Sequence, residues 1–198
     1  MNILYTIGHS THDINTFVAM LQSFAIQTLA DIRRLPGSRK YPQFNQDNLA
    51  QTLALAGIAY VYLADLGGRR RMNRASHNTR WRNASFQAYA DHMETEVFER
   101  GIDALTALAK ETTTALMCAE AVWWRCHRSL ISDCLKARGW TILHITGIGK
   151  AKEHPYTSPA IIVGDKVVYT ETPGKKQEPS DSQPASTPAS ASSSRKYG

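Results

Sequence analysis

The chain has 198 residues and carries 23 Lys and Arg against 17 Asp and Glu, a formal net charge of +6 at pH 7 that is compatible with a polyanionic partner. No window approaches eighteen uninterrupted apolar residues, and the first residues lack a secretory signal pattern, so we expect neither a membrane span nor secretion. Three cysteines without disulfide-framework spacing fit a reducing compartment, and we expect a cytoplasmic protein.

Apolar runs alternate with helical patterns in the first third of the chain. Residues 3–7 and 28–32 are short apolar runs that predict strands, and residues 58–63 are rich in β-branched and aromatic side chains, as strands are. Apolar residues recur at spacings of three and four over residues 14–24, which predicts a helix between the first two strands. A second helical pattern separates the second strand from the third.

The alternation continues toward the C-terminus. Residues 86–108 follow a helical pattern, residues 113–117 predict a fourth strand, and residues 129–138 predict a helix that ends before Gly139. Residues 140–145 predict a fifth strand. Residues 161–169 predict a small hairpin with a Gly-Asp turn.

The last segment differs in composition from the rest. Residues 171–198 are rich in Ser, Pro, Ala and Thr and contain no large aliphatic side chain, so ordering them would cost entropy without burying apolar surface. We therefore predict a single α/β domain over residues 1–170 and a disordered tail over residues 171–198. The tail holds four basic and three acidic residues, so most of the net charge lies in the domain.

Five strands alternating with helices predict an open, mostly parallel, Rossmann-like α/β sheet with helices on both faces and a small C-terminal hairpin. Ligands of such sheets bind beyond the carboxyl ends of the strands. Four polar clusters follow predicted strand ends: residues 8–10, 31–34, 67–71 and 118–128. We therefore expect these clusters to meet in one crevice.

The arginine-rich loops predict phosphate binding. Guanidinium groups suit bidentate phosphate contacts, and glycines together with the helix start after Ser10 would present backbone N–H groups to an anion. The spacing is neither a dinucleotide fingerprint nor a P-loop, so no cofactor is predicted. The predicted substrate- and phosphate-binding residues are Gly8, Ser10, Arg33, Arg34, Ser38, Arg39, Gly67, Gly68, Arg69 and Arg128.

Two carboxylates suggest one type of chemistry. Asp31 and Glu120 both lie at predicted strand ends, where one could act as base or nucleophile and the other as acid, a pattern suited to attack at an N-glycosidic bond. Alternatively, Asp31 forms an ion pair with an arginine, and Glu120 is a favourable charge at a helix N-terminus. His9 and His127 are candidates for proton transfer.

The stretch MCAEAVWWRCHRS, residues 117–129, suggests a second type of chemistry, in which a thiol reacts. Cys118 lies at a strand end, just before a helix N-terminus and near Arg125, His127 and Arg128, surroundings that favour a thiolate. A strand that ends in Asp-x-Arg, followed later by a Cys-loop-Arg-Ser-helix-Gly pattern, loosely resembles rhodanese-type sulfurtransferases. A buried structural cysteine is the alternative. Cys126 and Cys134 are interpreted as small core residues, and the spacing Cys-x7-Cys-His matches no zinc motif, so no metal site is predicted.

Five motifs taken together resemble the DUF488 family of bacterial and archaeal proteins: TIGHST, DIRRLPGSRKYPQF, LGGRR, MCAEAVWWRCHRSLIS, and HI followed downstream by EHPYT. The resemblance covers residues 3–170. It implies no established activity, although some members carry names that link them to DNA repair. Trp123 and Trp124 stand where the resemblance leads us to expect smaller residues or a proline.

We therefore expect an enzyme, a hydrolase or transferase acting on a nucleotide or nucleic acid, with no membrane partner. A rhodanese-like thiol enzyme that uses Cys118 and a non-catalytic nucleic-acid-binding accessory protein remain the alternatives. The predicted catalytic residues are Glu120, Asp31, His9, Cys118 and His127.

Overall fold

A computed structural model describes residues 2–171 of the chain. Within this range the chain forms eight strands: β1 (Ile3–Gly8), β2 (Thr28–Asp31), β3 (Ala59–Tyr62), β4 (Thr114–Cys118), β5 (Thr141–Gly147), β6 (Lys150–Glu153), β7 (Ile161–Val163) and β8 (Lys166–Val168). The same range contains five α-helices: α1 (Ile14–Gln22), α2 (Gln46–Leu55), α3 (Ala84–Met93), α4 (Glu96–Glu111) and α5 (Arg128–Ala137). Apart from its first residue, the predicted tail over residues 171–198 lies outside the described residues.

Six strands form one sheet in the order β3-β2-β4-β1-β5-β6. The first five of these are parallel, and β6 pairs antiparallel with β5. Strands β7 and β8 form a separate antiparallel hairpin, and its turn includes Gly164 in the left-handed region at φ +63°. The predicted open, mostly parallel sheet and the C-terminal hairpin are confirmed.

Strand β6 was not predicted from the sequence. Its four residues, Lys-Ala-Lys-Glu, are mostly charged and carry no apolar alternation. Backbone pairing with β5 holds the strand in place, from Leu143 opposite Glu153 to Ile145 opposite Ala151. Charged side chains are common on strands that end a sheet, because they discourage pairing with another chain.

Apolar side chains cover both faces of the sheet. One core cluster includes Phe17 and Leu21 of α1 with Leu49 and Leu53 of α2. The other cluster contains residues of α3, α4 and α5, such as Tyr89 of α3. The helices therefore lie on both faces, as predicted. None of the helices in residues 2–171 is long and apolar enough to cross a membrane.

A chain of buried polar groups leads from Arg128 at the start of α5, through residues of β1, β5 and the segment after β6, back to Asp133 on the same helix. Arg128 Nη1 lies 3.4 Å from Thr6 Oγ1, and Thr6 Oγ1 lies 2.7 Å from His144 Nδ1. His144 Nε2 is 2.9 Å from His154 Nδ1, and His154 Nε2 is 2.9 Å from Asp133 Oδ1. We call these five residues the Arg128–Asp133 chain.

One arrangement of hydrogens satisfies every link of the Arg128–Asp133 chain. Arg128 donates to Thr6, Thr6 donates to His144, and each neutral imidazole then donates to the next group until the Asp133 carboxylate accepts. Burial, followed by the neighbouring His154 and Arg128, lowers the pKa of His144 to about 2, so its ring stays neutral. A cation at one end and an anion at the other thus compensate each other inside the protein.

Asp133 also fixes the C-terminal hairpin. Its carboxylate accepts hydrogen bonds from the Thr157 backbone N–H, the Thr157 hydroxyl and the Tyr169 hydroxyl, in addition to the bond from His154. Asp133 and His154 are fully buried, and Tyr169 is nearly so. The hairpin and the preceding loop are therefore attached to α5 through one carboxylate.

Replacing Asp133 with Ala should destabilise the protein by about 3–5 kcal/mol, because four buried donors would lose their acceptor and Arg128 its compensating charge. Tyr169→Phe, which removes only one of these hydrogen bonds, should cost about 1 kcal/mol. Urea denaturation of both variants measures the two losses. Equal losses in the two variants would contradict a central role for Asp133.

Candidate functional site

The carboxyl ends of the parallel strands open onto a crevice formed by the loops after β1, β2, β3 and β4. It consists of two adjoining cavities. One, of about 460 Å³, contains both Cys118 and Cys126 on its wall, and we call it the thiol cavity. The other, of about 450 Å³, contains His9 on its wall, and we call it the His9 cavity. The residues common to both walls are Arg33, Leu35, Gly37, Arg69, Ala119, Glu120 and Arg125.

The thiol cavity brings two cysteines and a histidine together. Cys118 is the last residue of β4, whereas Cys126 and His127 lie in the turn that leads into α5. His127 Nδ1 is 3.6 Å from Cys126 Sγ and 3.9 Å from Cys118 Sγ. The three ligand-type atoms all lie within 4.8 Å of one another, so the same group could also hold a metal ion.

The two buried thiols shift each other's pKa in opposite directions. Burial would raise the pKa of Cys126, but the hydrogen bond from Cys118 and the charge of His127 lower it well below the ordinary value. The same hydrogen bond, together with burial, raises the pKa of Cys118 well above its ordinary value. The pair therefore titrates as a unit, and its first proton leaves from the side nearer His127. One thiolate beside the cavity is the form that acts as nucleophile or metal ligand.

Gly68 makes room for the His127 ring. A Cβ atom at Gly68 would lie 2.8 Å from His127 Nδ1, closer than packed atoms allow. The ring also packs against Tyr89 of α3, with 4.8 Å between the ring centroids. The loop after β3 and the helix α3 therefore fix the imidazole from two sides.

Asp31, at the end of β2, is fully buried, and its carboxylate forms an ion pair with Arg33. Arg33 Nε donates to Asp31 Oδ1 at 2.9 Å, and Arg33 Nη2 donates to Oδ2 at 2.6 Å. The Arg33 backbone N–H and the Tyr60 hydroxyl also donate to this carboxylate, at 3.0 and 2.7 Å. Asp31 thus forms the ion pair considered as an alternative above, and it holds Arg33 against the walls of both cavities.

His9 supports the same arginine from the other side. Its Nδ1 donates to the Ser10 carbonyl at 3.0 Å, which leaves Nε2 to accept from Arg33 Nη1 at 3.4 Å, and its ring stacks on Phe44 with 4.2 Å between centroids. Burial, and then the positive charge of Arg33, lower the pKa of His9 to about 4. His9 is therefore neutral at physiological pH and acts here as a hydrogen-bonding group.

The loop that carries Glu120 lies over Gly8 and Arg128. Arg128 Nη2 donates to the backbone carbonyls of Glu120 and Ala121. A Cβ atom at Gly8 would overlap the Glu120 carbonyl, so only glycine permits this approach. The Glu120 side chain is exposed and lines both cavities. Arg128 is therefore a buried support for this loop, although we predicted it as a phosphate ligand.

Exposed arginines surround the crevice. Arg34, Arg69 and Arg125 are exposed and line the thiol cavity, and Arg69 and Arg125 also line the His9 cavity. None of the ion pairs among residues 2–171 involves these three side chains. Arg70 differs, because it donates to the carbonyls of Gly67 and Asp65. Three guanidinium groups are thus available to an anionic ligand.

Most of the predicted site residues lie on the crevice walls. Those on the walls are His9, Ser10, Arg33, Arg34, Ser38, Gly68, Arg69, Cys118, Glu120 and His127. Among the described residues, five predicted members line neither cavity: Gly8, Asp31, Arg39, Gly67 and Arg128. Asp31 and Arg128 are buried supports, and Arg39 is exposed elsewhere on its loop.

Sequence reasoning missed several wall residues. Cys126 is buried in the core, as we considered from the sequence, but it does not share a helix with Cys134. Because α5 begins only at Arg128, Cys126 lies in the preceding turn and also lines the thiol cavity. Its adjacency to His127, at the same sheet edge as Cys118, was the available signal. Arg125 and Tyr89 were also absent from the predicted set.

Gly68→Ala should displace the His127 ring and thereby raise the pKa of the Cys118–Cys126 pair. In the parent protein, with EDTA present to exclude metal, we expect one thiolate to form well below pH 9, because Cys118 and His127 lower the pKa of Cys126. Cys134 does not contribute in this range, because burial raises its pKa to about 12. Ultraviolet thiolate absorbance as a function of pH measures this titration. Gly147→Ala is the control, because the nearest atom to its added Cβ would be 3.8 Å away. An unshifted curve in Gly68→Ala would exclude His127 as the cause.

Comparison with known proteins identifies the family without a function. No curated protein and no solved structure matches the chain. The model of the family described as "Domain of unknown function DUF488" matches residues 13–135, which include α1 to α4, strand β4, most of α5 and three of the four loops around the crevice. Since this match spans more than half of the sequence and agrees with the resemblance of the motifs, the chain belongs to the DUF488 family.

Proposed function

We propose that this chain is a hydrolase or transferase that acts on a phosphate-bearing substrate, a nucleotide or nucleic acid, at the Cys118, Cys126 and His127 group. The observation that carries the proposal is the composition of the thiol cavity. Its wall combines two thiols, both beside the His127 imidazole, with Arg33, Arg34, Arg69 and Arg125. A reactive group beside several cations suits a substrate that carries negative charge near the bond to be broken.

The arginines supply the binding half of the proposal. Guanidinium groups contact phosphate oxygens through two parallel hydrogen bonds, and a half-enclosed cavity strengthens such contacts relative to open solvent. Arg69 adopts a left-handed backbone at φ +55°, and Ser10 one at φ +48°. Both line the His9 cavity, and such conformations in residues other than glycine are costly and concentrate at functional sites.

The remaining side chains suggest a division of roles. Asp31 and His9 position Arg33 instead of reacting with substrate, because their polar atoms are already occupied. Glu120 is exposed on both cavity walls and serves as the acid or base. The pairing of Asp31 with Glu120 that we considered from the sequence is thus replaced by Glu120 with the thiol and imidazole group.

Binding should depend on the exposed arginines. Arg69→Gln and Arg125→Gln should each weaken binding of nucleotides or short oligonucleotides about tenfold or more, because a charge-assisted hydrogen bond contributes about 1.5–3 kcal/mol. Arg82→Gln, an equal charge change at an exposed residue outside both cavity walls, is the control. Thermal shift and fluorescence titration of a nucleotide, DNA and RNA panel at several salt concentrations measure the effect. Equal affinities for all three variants would contradict phosphate binding in the crevice.

Turnover should depend on the thiol cavity. With any ligand from the panel that the protein converts, Cys118→Ser and Cys126→Ser should abolish turnover, whereas Cys134→Ser, a buried cysteine outside both cavity walls, should retain it. Glu120→Gln should lower the rate by about 10²–10⁴-fold, as expected for loss of a general acid or base. Turnover that survives both Cys118→Ser and Cys126→Ser would contradict the proposal. Binding without turnover by the parent protein would favour a non-catalytic nucleic-acid-binding protein.

Sulfur transfer is the second candidate, because Cys118 lies on a cavity wall shared with Arg69 and Arg125, which could hold a small sulfur-bearing anion. In this reaction Cys118 would first lose its proton to His127, 3.9 Å away, and its thiolate would then attack the outer sulfur of thiosulfate, form a persulfide and release sulfite. Mass spectrometry after incubation with thiosulfate would reveal one added sulfur atom on Cys118. An unchanged mass would exclude this candidate.

A further inference from the structure

The three groups in the thiol cavity are also metal-ligand types. Strand β4 presents Cys118 at its end, and the turn before α5 presents Cys126 and His127. The seven residues between the cysteines form a loop, and both sulfurs and the His127 ring nitrogen lie within 4.8 Å of one another. Zinc-finger patterns rely on short spacings, which explains why the sequence predicted no metal site.

The distances suit a tetrahedral ion. Zinc binds thiolate sulfur at about 2.3 Å and imidazole nitrogen at about 2.0–2.1 Å, so a sulfur and a nitrogen on one tetrahedral zinc lie roughly 3.6 Å apart. The distances from His127 Nδ1 to Cys126 Sγ and Cys118 Sγ are 3.6 and 3.9 Å. An ion at the centre of the group would require only small side-chain adjustments.

The hydrogen bonds within the group are weak. Among the described residues, His127 Nδ1 has the two sulfurs as its hydrogen-bond partners. Neutral sulfur is a weak hydrogen-bonding group, so the imidazole gains little from it. A cation coordinated by Nδ1 and both sulfurs would replace these weak contacts with strong ones.

We propose that Cys118, Cys126 and His127 bind one zinc ion whose fourth coordination position opens into the thiol cavity. All three residues line that cavity, so the fourth position faces space that water or a substrate oxygen can fill. Three protein ligands with one open position characterise catalytic zinc sites, whereas structural sites are closed by four. Two sulfur ligands favour zinc over magnesium or calcium, which prefer oxygen.

Zinc binding completes the proposed chemistry of the same cavity, and in that respect it rests on the proposed function. On binding, both cysteines lose their thiol protons to solvent, and His127 binds as the neutral ring, so affinity should rise with pH. A water molecule in the fourth position would ionise near pH 7. Glu120, two residues after Cys118 and on the same wall, could take that proton and later return it to the leaving group.

Metal analysis of the full-length protein tests the site without any substrate. After incubation with zinc and removal of excess metal, inductively coupled plasma mass spectrometry should find one zinc per chain. X-ray absorption should report two sulfur neighbours at about 2.3 Å and nitrogen or oxygen neighbours at about 2.0–2.1 Å. Cobalt in place of zinc should give thiolate-to-metal charge-transfer absorption.

Variants locate the ion. Cys118→Ser and Cys126→Ser should each reduce zinc affinity by about 100-fold or more, since the loss of a mere supporting group already costs about 10–100-fold. Cys134→Ser should keep one zinc per chain. Zinc content equal to the parent protein in Cys118→Ser and Cys126→Ser would overturn the proposal.

A measurement on the parent protein tests the site without any variant, so it does not depend on whether the variants fold. Saturating zinc should protect Cys118 and Cys126 from alkylation, as mapped by peptide mass spectrometry, and unprotected cysteines would also overturn the site. The proposed function and the zinc site can be refuted independently. Arg69→Gln and Arg125→Gln should retain zinc, so a protein that binds zinc but no phosphate-bearing ligand would refute only the substrate class.

Discussion

One buried cation, Arg128, constrains the whole functional edge of the sheet. Its guanidinium group is buried away from solvent, so its charge must be balanced within the protein. The Arg128–Asp133 chain provides that balance at one end, and the backbone carbonyls of Glu120 and Ala121 accept hydrogen bonds at the other. The loop after β4 is therefore linked, through Arg128 and through residues of β1 and β5, to the carboxylate of Asp133, which lies five residues after Arg128 on α5. Trp123 from the same loop stacks on His144, with 4.4 Å between the rings, and reinforces the coupling.

The charged side chains near the crevice fall into two groups: buried ones that hold the structure in place, and exposed ones that a ligand can contact. Asp31, Arg33 and His9 form one buried hydrogen-bonded group beneath the crevice, and Arg128 with its partners forms another. The charged side chains that remain exposed on the crevice walls are then Arg34, Arg69 and Arg125, together with Glu120. Buried pairs of this kind contribute little net stability, but they fix geometry. Buried groups that hold their neighbours in fixed positions, next to exposed arginines, suit a site that must orient an anion beside a reactive group.

Local sequence patterns predicted the elements, and contacts distant along the chain decided the site. Apolar periodicity placed β4 and α5 within one residue of their observed bounds, because a buried strand and an amphipathic helix each leave a local signature. Strand β6 left none, since its position depends on backbone pairing. The burial of Arg128 could not be predicted either, because arginine is ordinarily exposed and its partners lie more than a hundred residues earlier in β1 or within another loop. The pairing of Cys118 with Cys126 required knowing where α5 begins.

The position of β1 has a consequence for how the family region should be understood. Residues 13–135, which match the family model, exclude β1 and β5, although β1 occupies the interior of the sheet between β4 and β5. The matched region also ends two residues after Asp133. It therefore excludes His154, Thr157 and Tyr169, the hydrogen-bond partners of Asp133. A fragment cut at those limits would leave one side of β4 without its neighbour and a buried carboxylate without partners. The region that the family model matches is thus smaller than the folded domain, whose sheet includes the flanking strands β1 and β5.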